Sequence, residues 1–224
     1  MNRFFTPFVG SKYEEGICGK KILVLGASFY CNKNGENGQG RCPFFDECTN
    51  TETKDSSAYN EKCPFPENEG KNLSDYPTTA IEEQYKPYQR FQKFIQSIIG
   101  ESSYENTWNR LSFTEYVQFF VPTIETKKTY LSKRDFEAFN ETLQKLKPDV
   151  VISWGMAILE EIREKNKYVI DKENLSDTDY YVCHMRVPNV NHEITLISSY
   201  HPSSVNWYGD MEKLHKYLKQ VLEE

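Results

Sequence analysis

Short apolar runs that stop abruptly, alternating with segments of helical period, constrain this chain more than any other feature. Ile22, Leu23, Val24 and Leu25 are closed by Gly26, which predicts a buried strand running into a tight turn. Val150, Val151 and Ile152 predict a second such strand, leading into Trp154 and Gly155. Further strands are expected over 114–121, before Pro122, and over 180–187 and 193–198. Between them, Tyr88, Phe91, Phe94, Ile95 and Ile98 share one face of a helix over 84–99 that Gly100 should stop. Ser132 is a candidate N-cap for a helix reaching Leu146, with Phe136, Phe139 and Leu143 apolar. Helices are also expected over 156–164 and 210–222. Strands alternating with helices in this way predict an α/β fold, a mostly parallel sheet with helices on both faces. In open sheets of that kind, ligands lie beyond the carboxyl ends of the strands.

The length of 224 residues suits one domain, 1–224, carrying a large insertion. Residues 1–19 read as an irregular arm in which Pro7, Phe8, Val9 and Gly10 tuck an aromatic ring against the body. The insertion, about 31–84, shows no periodicity and holds four of the six cysteines. Loops this long without structure are uncommon in compact domains, so something should order it. Cys31, Cys42, Cys48 and Cys63 are the candidate ligands, for zinc or an iron–sulfur cluster. No C-x-x-C pair supports this, and the alternative is free, partly buried thiols in a surface insertion. No run of ~18 apolar residues is present, so no membrane span is expected. The first ten residues lack the layout of a signal peptide. The cytoplasm is the expected location, where thiols stay reduced. A formal charge of −6 weighs against any nucleic-acid reading, although a local basic patch can sit on an acidic chain.

Three strand ends carry the chemistry. After the first strand, Gly26 permits a sharp turn, and Ala27, Ser28 and Tyr30 follow it. The second ends in Trp154, which read alone is a core residue. The last runs through Ser198 to His201, Pro202, Ser203 and Ser204. An imidazole there can stabilise an anion as a neutral donor or shuttle a proton. The serines can serve an anion or cap a helix, and a purely structural His-Pro turn is the competing reading.

Taken together and in this order, the Gly26 turn, the Trp154-Gly155 strand and the His201-Pro202-Ser203 strand end resemble the uracil-DNA glycosylase superfamily. The resemblance covers roughly 20–224. It implies a three-layer α/β/α domain around a central, mostly parallel four-stranded sheet, and a site for a flipped-out base, so DNA or a nucleobase is the implied partner. It implies that residues 26–30 form the water-positioning loop, with Gly26 and Ala27 lining it and Tyr30 beside the base. His201 would stabilise the departing base anion. Ser28 stands where that family usually has an Asp or Asn, and serine is a poor general base. Phe44 or Phe45 could stack on the base. Asn109, Glu115 or Gln118 could read its edge. Two other functions fit the same residues: a non-enzymatic binding module, and a serine hydrolase using Ser28 and His201.

Overall fold

The computed structural model describes residues 5–30, 71–72, 77, 80–81, 84–100, 104–118, 120–121, 131, 133–174, 181–209 and 211–223. Along the chain these form β1 (Phe5–Thr6), β2 (Phe8–Val9), β3 (Ile22–Gly26), β4 (Phe29–Tyr30) and β5 (Lys71–Asn72). Then come α1 (Lys86–Ile99), α2 (Tyr104–Asn109), β6 (Leu111–Glu115), β7 (Phe120–Val121), α3 (Lys133–Leu146), β8 (Val150–Trp154) and α4 (Met156–Lys165). The chain ends with β9 (Val169–Asn174), β10 (Tyr181–Met185), β11 (Ile194–Ser199), α5 (Asn206–Gly209) and α6 (Met211–Glu223).

The main sheet is mixed and has seven strands, in the order β2-β6-β3-β8-β11-β10-β9. Its four central strands, β6, β3, β8 and β11, are parallel. The expected four-stranded parallel sheet is therefore the middle of a larger one. The antiparallel β2 flanks it on one side, and the antiparallel pair β10 and β9 on the other. The arm supplies β2, where Phe8 pairs with Phe113 and its buried ring meets Trp108 edge-on at 6.2 Å.

Successive side chains of a strand point to opposite faces, and the two faces are covered separately. Ile22, Val24, Phe113, Ile152 and Ile197 pack with Tyr88, Phe91 and Phe94 of α1 and Leu214 and Leu218 of α6. Leu23, Leu25, Val151 and Leu196 pack with Phe139 and Leu143 of α3 and Ile158 and Ile162 of α4. The result is three layers, α/β/α. Gly100 ends α1 in the left-handed region, at φ 70°.

The single strand expected over 114–121 is two: β6 starts earlier, at Leu111, and ends at Glu115, and β7 takes up Phe120–Val121. Tyr116 and Val117 continue the apolar run but are buried in a bend against the α3 and α4 layer. Among the described residues no helix is long and apolar enough to cross a membrane. Cys18 is an exposed free thiol, and Cys183 is a buried one in β10.

Candidate functional site

Register brings the carboxyl ends of the parallel strands level. Gly26 faces Glu115 across β3 and β6, Leu25 faces Ser153 across β3 and β8, and Trp154 faces Ser199 across β8 and β11. β3 also lies at the point where the chain order reverses, with β6 on one side and β8 on the other. A crevice opens at such a point because the loops leave in opposite directions. Gly26, Trp154 and His201 thus belong to one end of the sheet.

Alternation puts Gly26, Glu115 and Trp154 on the α1 face. Gly26 has no side chain, and the Glu115 carboxyl fills that space. A Cβ on Gly26 would lie 2.8 Å from Oε1 and closer still to Oε2. The carboxyl therefore leans from β6 over β3, towards β8. Glu115 is buried, and its Oε2 has no hydrogen-bond partner among the described residues. Burial pushes its pKa up to about 8, because the charged form loses its water. At neutral pH it is chiefly a neutral acid. Tyr85, just before α1, has its phenol raised by burial and then by the Glu115 charge.

Across β3, Trp154 is wedged against Phe91 at 5.1 Å and Tyr88 at 5.2 Å. That packing fixes a surface for His201, whose ring meets Trp154 edge-to-face at 5.6 Å. The imidazole orientation is set locally. His201 Nδ1 accepts the backbone N–H of Ser203 at 3.1 Å and lies 2.6 Å from Ser203 Oγ. With the Nδ1 lone pair used this way, the ring proton belongs on Nε2. Burial lowers the His201 pKa to about 4, so the ring stays neutral. Arg90 of α1 braces the same loop, donating from Nη1 to the Pro202 carbonyl at 2.8 Å. Ser204 Oγ accepts the N–H of Asn206 at the start of α5. The two serines thus take the orienting and capping roles.

No family model matches the chain. A comparison with curated proteins also finds no match.

The remaining expected residues divide. Ser28 is buried just past β3. Ala27 is half-buried against the α3 and α4 layer, and its carbonyl accepts the Val117 N–H at 3.1 Å. Tyr30 pairs through its backbone with Val121, and its side chain lies outside the described residues. So do Phe44, Phe45, Cys31, Cys42, Cys48 and Cys63. Asn109 is not brought to this end: it closes α2 ahead of the amino end of β6, and its carbonyl accepts the Lys12 N–H. Gln118 is committed to the backbone. Its Nε2 donates to the Glu115 carbonyl at 2.7 Å, and its Oε1 accepts the Phe5 N–H. Of the three candidates for an edge reader, Glu115 is at this end of the sheet with a side-chain oxygen that has no partner among the described residues. The signal in the sequence was an acid placed level with the glycine of the neighbouring strand, and it needs the register to be seen.

Proposed function

We propose that this site binds a nucleobase drawn out of a nucleic-acid stack and, as in the uracil-DNA glycosylase superfamily that the sequence resembles, releases it by hydrolysis of the N-glycosidic bond. The orientation of His201 carries this reading. Its Nδ1 is occupied by a backbone donor, so Nε2 can only offer a proton, the role needed at a departing anion. In the reaction the C–N bond breaks and the electron pair leaves with the base. His201 Nε2–H hydrogen-bonds to that base anion. Water adds to the cation-like sugar carbon and loses a proton to solvent. Ser28 is neutral, and Glu115 keeps its own proton at neutral pH, so neither acts as a strong general base. Rate therefore depends on stabilising the leaving group.

The same orientation weighs against a serine hydrolase. Such a site needs Nδ1–H held by an acid and a free lone pair on Nε2. Ser198, where an acid would be wanted, sends its hydroxyl to the Gly155 carbonyl at 3.4 Å. A binding module without catalysis uses the same residues and is favoured by Ser28 standing where the resembling family usually has an Asp or Asn.

The test is to incubate the protein with single- and double-stranded oligonucleotides carrying uracil and other modified bases, and to measure abasic sites. Wild type should form them, and His201→Ala should be slower by about 10²–10³-fold. Equal rates in the two would contradict the role of His201. Base binding without release would favour the module.

A further inference from the structure

We propose that Glu115 selects the ligand of this site, taking a heterocycle edge with one hydrogen-bond donor beside one acceptor and accepting that pair in either order. This rests on reading the site as base-binding. The geometry is a carboxyl laid over the side-chain-free Gly26, on the sheet face of Trp154, with one buried oxygen that has no partner among the described residues. A buried polar atom without a partner is costly, and a ligand that completes it recovers that cost.

A neutral carboxyl offers one O–H and one C=O, which match a lactam edge (N–H beside C=O) in a cyclic pair of hydrogen bonds. Moving the proton to the other oxygen matches an amidine edge (ring N beside amino) equally well. A carboxamide would have to turn its whole plane to exchange these roles. An ionised carboxylate can only accept, so it matches neither edge. Among the groups around Glu115, Gly26 of β3 brings no charge, and the Tyr85 phenol is the titratable group that meets its charge. Tyr88 of α1 is a second phenol on this face, the indole of Trp154 carries no charge, and His201, beyond Trp154, is held neutral by burial. α1 also carries Lys86, Arg90 and Lys93, of which Arg90 donates to the Pro202 carbonyl, and burial is the cause that sets the Glu115 pKa.

Calorimetric titration with free uracil and free cytosine, at pH 6 and pH 9, tests this on wild type, Glu115→Gln and Glu115→Leu. Wild type should bind both bases at pH 6. With a pKa of about 8, about one tenth of the sites keep the proton at pH 9, so both affinities should fall about tenfold. Glu115→Gln should lose that fall, and any change it still shows belongs to the bases' own titration. Glu115→Leu should lose binding at both pH values. Binding of only one base by wild type, or the same pH response in wild type and Glu115→Gln, overturns the inference. If wild type binds neither free base but still forms abasic sites, the base-release reading stands and this inference falls. If it does neither, both fall.

Discussion

The two ends of the central sheet treat their polar groups differently. At the amino ends, Asp149 Oδ2 accepts the Lys21 N–H at 2.7 Å, and its backbone N–H and carbonyl bond to Lys21 and Thr195. His192 Nε2 donates to the Pro148 carbonyl at 3.0 Å and lies 3.5 Å from Asp149. Asp149 and His192 thus close structural bonds between strand starts, while the buried Trp108 Nε1 just ahead of β6 has no partner among the described residues. At the carboxyl ends, Glu115 Oε2 and Trp154 Nε1 have no partner among the described residues. His201 turns a donor outward. Buried polar groups without partners destabilise a fold, and the difference between the ends is that the carboxyl end holds an ionisable one, Glu115, beside the proposed site.

Titration should show the contrast most strongly. The folded pKa of Glu115 lies above its ordinary value of 4.5, so the folded state holds a proton that the unfolded state has lost. Stability must then fall as pH rises from about 4.5 to about 8. A tenfold difference in proton affinity between the folded and unfolded states is worth about 1.4 kcal/mol, which makes this a change of several kcal/mol. His201 acts in the opposite direction. Its lowered pKa costs stability as pH falls from 6.5 to about 4. The two trends offset each other between about 4.5 and 6.5, leaving a net decline from 6.5 to 8. Chemical denaturation across this range should show that decline in wild type and lose it in Glu115→Gln. An unchanged decline in the variant would place its cause elsewhere and remove the contrast between the two ends.

The next largest effect should come from Gly26→Ala. The new methyl would overlap the Glu115 carboxyl and force it or the strand to shift, at about 1–3 kcal/mol. Thermal melting should show the loss, and pairing Gly26→Ala with Glu115→Ala should recover much of it. Additive losses would mean the carboxyl is not what fills the space over Gly26.

How much of this could be read from the sequence follows from what makes a signal local. The Gly26 and Trp154 strand ends were legible because buried strands read as continuous apolar runs with sharp stops. β9 was not, because Val169–Asn174 is an edge strand with polar residues and no clean alternation. The end of β6 was hidden because Tyr116 and Val117 extend its apolar run while packing in a bend on the other layer. The site divides similarly. His201 was visible from its own neighbours, whereas Glu115 depends on Gly26, which lies far away in sequence and level with it in the sheet. Asn109 looked equally suitable because sequence cannot say which end of β6 it occupies.

A smaller effect belongs to the amino ends. Asp149→Ala should cost about 0.5–1.5 kcal/mol by taking the carboxylate partner from the part-buried Lys21 N–H. Urea denaturation checks this, and base release should be unchanged. A loss of base release comparable to that of His201→Ala would mean that the two ends are not separate in function.

The most direct measurement is ¹⁵N nuclear magnetic resonance of the His201 ring between pH 5 and 8. The tautomer with hydrogen on Nε2 and a bare, hydrogen-bonded Nδ1 should persist across that range, because burial holds the pKa near 4. A proton on Nδ1, or titration centred near 6.5, would contradict the assignment of His201 as a neutral donor at the site.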